Sequence, residues 1–192
     1  MALQMLFAAC LIIGSMSELL ALQCVQIKVR FPHLNPEMTR LLTRTGPDMP
    51  SQCIRKKIRL DSLENLYKVP DTSTAEDLAM FAYEALRHIE VIFSSDLQPV
   101  YWDERKLDDF LNILNRKTQK LRECLGDRIP ITKEAQEAES FVGTNVALNS
   151  YFQKMKEALK SEGYDDCAWE IIRKEVLYNL NWINHLVNRM TK

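Results

Sequence analysis

Asp165-Asp166-Cys167-Ala168-Trp169-Glu170-Ile171-Ile172-Arg173-Lys174-Glu175-Val176-Leu177-Tyr178-Asn179-Leu180 opens with two carboxylates suited to cap a helix and runs into a long apolar stripe. At about 100° per residue, Ala168, Ile172, Val176, Leu180, Ile183, Val187 and Met190 share one arc. Arg173, Lys174, Leu177 and Asn181 fall outside it. The pattern predicts a helix with one face committed to a core and another left for some other contact. The rest of the chain reads as the other walls of that core.

Moving outward, Asn35-Pro36-Glu37 combines a capping side chain, a proline at the first helical position and an acid in the first turn. Met38, Leu41 and Leu42 give this short first helix its apolar face before Gly46-Pro47. The segment from Gly46 to Asp71 reads as a long irregular loop carrying the basic run Arg55-Lys56-Lys57-Ile58-Arg59. Ser73-Thr74-Ala75-Glu76 has capping-box spacing. The helix it starts turns Leu78, Phe81, Ala82, Ala85, Leu86, Ile89, Ile92 and Phe93 inward, with Tyr83, Glu84, Arg87 and Glu90 outward. Asp103 opens a third helix with Leu107, Phe110, Leu111, Leu114, Thr118 and Leu121 inward, ending near Cys124 and Gly126. Pro130 and Thr132 introduce a fourth, striped by Ala138, Phe141, Leu148, Phe152, Met155 and Leu159 and stopped by Gly163. The long helices run about 20 to 27 residues, or roughly 30–40 Å, which are bundle lengths. Before the first helix, Cys24 to Arg30 is weakly strand-like.

Loop lengths constrain the topology. A long loop after the first helix can travel the length of a bundle, so the first two walls run parallel. The short link after Phe93 turns the third helix antiparallel, and the fourth carries the chain back so that the last runs down. The result is an all-α, up-up-down-down bundle with an extra helix in the second crossover, the arrangement of long-chain helical cytokines. It puts Cys24 and Cys124 at one end and Cys53 and Cys167 at the other, selecting Cys24–Cys124 and Cys53–Cys167 from the three possible pairings. The second bridge would fasten the long loop to the start of the last helix.

Composition agrees with this class: 46% hydrophobic, 27% charged, and few Gly or Pro residues over 192 positions, enough for one substantial domain. A net charge of −1 gives no global basic field for nucleic acid or an anionic membrane. Leu3, Met5, Leu6, Phe7, Leu11, Ile12 and Ile13 lie in a run with no charge before Glu18. That run is short for a membrane span and reads as a secretory signal peptide over residues 1–23, with cleavage after Ser17 as a second choice. Residues 24–192 then form one secreted helical-bundle domain. Cys10 leaves with the leader, and four cysteines remain, an even number in an oxidising compartment. No Asn-x-Ser/Thr acceptor is present.

Catalytic features are missing. His33, His88 and His185 form no His-Glu-x-x-His pattern, and there is no Gly-x-Ser-x-Gly elbow or Gly-rich phosphate loop. The widely spaced cysteines do not resemble zinc ligands. The expectation is no enzyme, no catalytic residue, no metal and no cofactor. Trp102, Trp169 and Trp182 read as packing residues.

Cys167-Ala168-Trp169-Glu170-Ile171-Ile172-Arg173-Lys174-Glu175 closely resembles the signature that opens the last helix of type I interferons. Cys24, Cys53, Cys124 and Cys167 match that family's spacing, and the pairing above is the one the family uses. The short first helix and the absence of glycosylation acceptors resemble the fish, four-cysteine group. The resemblance implies an antiviral cytokine of innate immunity, acting as a monomer. It would bridge two different chains of a heterodimeric class II cytokine receptor and start JAK–STAT signalling, without inserting into the membrane. Carried over by motif position, one receptor chain would meet Ile54 and Lys57 in the loop and Arg173, Lys174 and Leu177 on the last helix. There Arg173 would offer a planar fork to receptor carboxylates, and Ile54 and Leu177 would serve as apolar anchors. Tyr178 stands where mammalian members often have arginine. The second and third helices are candidates for the other receptor chain. Competing readings are another long-chain helical cytokine and a secreted carrier holding an apolar ligand between its helices.

Overall fold

Among the described residues every regular element is a helix. The computed structural model describes residues 36–56, 58, 60, 62–94, 99, 101–126, 129 and 142–190. The leading apolar run, Cys24, the strand-like stretch, Asn35, Lys57 and the start expected for the fourth helix lie outside them. The elements are α1 (36–45), α2 (Ser51–Ile54), α3 (Leu63–Leu66), α4 (Ala75–Phe93), α5 (Glu104–Leu125), α6 (Val142–Ser161) and α7 (Asp166–Met190).

Local chemistry sets the ends of these helices. The capping box of α4 sits one residue later than Ser73–Glu76. The Thr74 hydroxyl accepts from the Asp77 amide at 3.1 Å, and the Asp77 carboxylate accepts from the Thr74 amide at 2.8 Å. Asp103 caps α5 by accepting from the Lys106 amide at 3.1 Å. After α6 the chain reverses through Gly163 at φ 62° and Tyr164 at φ 58°, left-handed values that suit glycine and end the helix.

Contacts between ends fix the directions. At one end, Phe93 at the close of α4 meets Trp102 just before α5 and Trp169 in the first turn of α7, with ring centroids 6.2 and 6.0 Å away. The end of α1 reaches the same place, where the Thr45 carbonyl accepts from the Asp103 amide at 2.7 Å. At the other end, the Arg189 guanidinium near the close of α7 donates to the Val69 and Pro70 carbonyls ahead of α4. So α1 and α4 run up, α5 and α7 run down, and α6 climbs back between them: the up-up-down-down bundle with an added crossover helix. α4 packs against α5, α6 and α7.

The core is the sum of the stripes. Met38, Leu42, Phe81, Leu86, Ile89, Phe110, Leu114, Phe152, Met155, Ile172, Val176 and Ile183 are all fully buried. Two features depart from the sequence reading. The stretch 46–71 carries two helical turns, α2 and α3. The second is followed by buried Tyr67, whose ring meets Phe81 edge-on at 5.1 Å and stacks on Trp182 at 6.0 Å. Tyr83, expected outward, is buried in the seam between α4 and α5, because a seam buries flanks as well as the central stripe.

Candidate functional site

Asp165 starts the site by capping α7, accepting from the Ala168 amide at 2.8 Å. Two residues on, Cys167 is disulfide-bonded to Cys53, with Cα atoms 5.0 Å apart and a sequence separation of 114. In the chain-entropy picture a loop of that length is worth about 4–5 kcal/mol. A second tie lies beside it: the Lys56 ammonium bridges Glu162 at 2.7 Å and also pairs with Asp165. Desolvation works against this ammonium, but hydrogen bonds to Asp165 and Glu162 outweigh it and raise the Lys56 pKa. One member of the basic run is therefore a latch inside the molecule. Ile54, between the disulfide and the latch, is 71% exposed.

Cys167, Ile171, Lys174 and Tyr178 recur at helical spacing and share one face of α7. Lys174 is exposed, and its ammonium lies 5.9 Å from the centroid of the Tyr178 ring, which is itself 48% exposed. Such a cation–π contact contributes about 0.5–1 kcal/mol at a surface. Leu177, on the flank of this face, is half-buried and packs against the core cluster. Solvated aliphatic and aromatic surface next to a cation, on a rigid helix with a loop clamped to its first turn, suits contact with another protein.

Arg173 corrects the sequence reading. It was expected on the free face, yet it is only 6% exposed. Its Nε donates to Glu170 Oε2 at 3.0 Å and one terminal nitrogen to the same oxygen at 2.5 Å. The other terminal nitrogen donates to the Leu42 and Thr43 carbonyls at 3.2 and 3.0 Å. The Pro47 carbonyl takes the remaining bond at 2.5 Å. These bonds match the five N–H donors of a guanidinium, so none is left over for a receptor carboxylate. The reason is the end of α1. Its last carbonyls have no partners within the helix and form the negative end of its dipole, and Arg173 meets both needs from α7.

Glu170, which completes this cluster, was not singled out from sequence. Its carboxylate is 1% exposed, and Oε1 accepts from Trp102 Nε1 at 2.8 Å and from the Tyr101 hydroxyl at 3.0 Å. Gly46 passes directly over it: a Cβ there would lie 2.8 Å from Trp102 Nε1 and 2.9 Å from Glu170 Oε1. The three-residue spacing of Glu170 and Arg173 was the available signal.

Behind the face, a buried chain runs from the Tyr67 hydroxyl to Asn179 Oδ1 at 2.7 Å. It continues from Asn179 Nδ2 to the Tyr151 hydroxyl at 3.3 Å and from there to Glu175 at 3.0 Å. Desolvation raises the Glu175 pKa against the lowering effects of Tyr151 and Lys174. Cys124 is disulfide-bonded, while Cys24, its expected partner, lies outside the described residues, as does Lys57. A groove of about 690 Å³ opens between α4 and α5, lined by Tyr83, Arg87, Glu90, Asn115, Gln119 and Arg122 among others. Among the described residues no cluster of His, Cys, Asp and Glu could hold a metal ion, and no helix is long and apolar enough to cross a membrane.

Comparison with known proteins agrees with this geometry. Residues 27–190 match the family model for the interferon alpha/beta domain. Interferon a3 of Oncorhynchus mykiss is 31% identical over 168 residues, covering 87% of this chain and 86% of that one. Interferon beta of Macaca fascicularis is 31% identical over 134 residues, 70% of each chain. Among solved structures, zebrafish interferon 1 superposes with a TM-score of 0.70 at 26% identity, over 86% of this chain and 99% of that one. Zebrafish interferon 2 gives a TM-score of 0.69 at 27% identity, over 80% and 96%. Fold, disulfide-clamped last helix and sequence together place this chain in the type I interferon family, whose members are cytokines and not enzymes.

Proposed function

We propose that this chain is a secreted, monomeric antiviral cytokine that bridges two different chains of a class II cytokine receptor and thereby starts JAK–STAT signalling. Residues 1–23 act as its signal peptide, and residues 24–192 are the mature domain, with Cys24–Cys124 as its second disulfide. One receptor chain meets Ile54 and Lys57 from the loop and Lys174, Leu177 and Tyr178 from α7. Arg173 belongs to this site from beneath. The other chain meets the α4–α5 side, where the groove around Tyr83, Arg87 and Gln119 opens.

The observation that carries this reading is the exposure of Ile54, 71% solvent-accessible although Cys53 beside it is bonded to the first turn of α7. A large aliphatic side chain held in water beside a covalent clamp is a preorganised apolar anchor, since a partner that covers it need not first order it. Burying it would contribute on the order of 1.5–3 kcal/mol. The test is STAT phosphorylation in cells of the source species within an hour of adding the oxidised protein. Ile54→Asp and Lys174→Glu, both at exposed positions, should fold normally and need at least tenfold more protein for the same response. Equal potency of wild type and both variants would remove this face from the site. No response to the wild type from several cell types would remove the cytokine reading.

A further inference from the structure

We infer that Glu170 and Arg173 form a positioning pair that sets how the loop is presented to the receptor, and that neither touches the receptor. The inference rests on the receptor reading above and assigns these two residues a role within that site.

The two residues are among the most enclosed polar groups in the molecule, at 1% and 6% exposure. Between them they hold two separate pieces of chain against α7. Arg173 grips the backbone at Leu42, Thr43 and Pro47, on both sides of the point where α1 ends and the loop begins. Glu170 grips Tyr101 and Trp102, which lead into α5. The Thr45 carbonyl, bonded to the Asp103 amide, closes the ring between those two pieces. Gly46 is pressed so closely onto Trp102 and Glu170 that the loop must leave α1 along one path. Seven residues further on, Cys53 returns the loop to α7 at Cys167, only three positions before Glu170. The segment 46–53 is thus fixed at both ends by one stretch of α7: through the buried pair at its start and through the disulfide at its finish. Ile54 follows immediately. Its position beside the first turn of α7 is an output of the buried pair.

A contact residue and a positioning residue make different predictions. Glu170→Gln keeps the shape and removes the charge at a site no partner can reach. Arg173→Lys keeps the charge and removes the planar fork. Both variants should retain native helix content. Amide hydrogen exchange at residues 42–56 should rise at least tenfold in both, with exchange in the centres of α4 and α5 unchanged. Each should also need about tenfold more protein to displace labelled wild type from responsive cells of the source species. Coupling supplies the sharper readout: Ile54→Asp should cost at least tenfold in displacement on the wild-type background and less than threefold on the Glu170→Gln background. The inference is overturned if exchange at 42–56 stays at the wild-type rate in both variants. It is equally overturned if the Ile54→Asp penalty is the same on both backgrounds. Should labelled wild type bind no cell specifically, the receptor reading fails, and the exchange measurement alone decides whether the pair positions the loop.

Discussion

His88 supplies a sharp test of the packing between α4 and α6. Its imidazole is 8% exposed and stacks on Phe152 with ring centroids 5.0 Å apart and planes 13° from parallel. Desolvation, reinforced by the nearby Arg87 and Lys156 cations, lowers its pKa from 6.5 to about 4. In the unfolded chain the same ring takes up its proton near 6.5. The stability that neutral His88 contributes is therefore complete above pH 6.5 and is lost as the pH falls toward 4, because the unfolded state binds the extra proton across that window. At about 1.4 kcal/mol per pH unit, the loss is about 2 kcal/mol at pH 5 and about 3 kcal/mol at pH 4. The assay is urea denaturation of wild type and His88→Leu from pH 7 to pH 4. Altered packing in the variant adds an offset that does not change with pH, so the slope of the difference isolates the histidine. A difference moving by about 3 kcal/mol in favour of the leucine variant is expected. A difference that stays flat from pH 7 to pH 4 would refute the reasoning and place the ring in contact with water or a carboxylate.

Two further predictions concern positions off the apolar stripes. Desolvation lowers the Lys117 pKa from 10.5 to about 7 on the inner side of α5. The unfolded state binds the extra proton between those values, so relative to Lys117→Met the wild type should gain about 2 kcal/mol from pH 7 to pH 9 in urea titrations. Parallel curves would contradict the burial. Gly46→Ala should cost about 1–3 kcal/mol in a thermal or chemical melt, since the new methyl meets Trp102 and Glu170 at under 3 Å. An unchanged melt would mean that the loop leaves α1 by another route.

Much of the fold was legible because helix periodicity reports burial directly. Ala168, Ile172, Val176, Leu180, Ile183, Val187 and Met190 are all buried as the stripe on α7 requires, and Asp103, Gly126 and Gly163 mark the helix ends they were read to mark. The residues read less well sit on helix flanks. Arg173, Glu170, Tyr83 and His88 lie off their stripes, and each is buried by a neighbour that arrives from elsewhere in the chain. A helical wheel records angles within one helix and carries no record of where α1 ends or which seam closes beside α4. The same limit explains α2 and α3. Four-residue turns have little stability alone; one is bonded through Cys53 to α7, and the other leads into Tyr67, which is held by Phe81, Trp182 and Asn179. Ile54, Lys174 and Leu177 enter the proposed site through the family motif alone, whereas the internal use of Arg173 depended on three backbone carbonyls more than a hundred residues away.

In the proposed signalling complex one molecule holds two different receptor chains through two separate surfaces. This arrangement is tested most directly by photo-crosslinking on living cells, with a benzophenone amino acid at Tyr178 in one preparation and at Arg87 in another. Irradiation should trap one membrane protein from position 178 and a different one from position 87, both of the class II cytokine receptor kind. Capture of the same chain from both positions, or of no membrane protein from either by a protein that still triggers STAT phosphorylation, would contradict the arrangement.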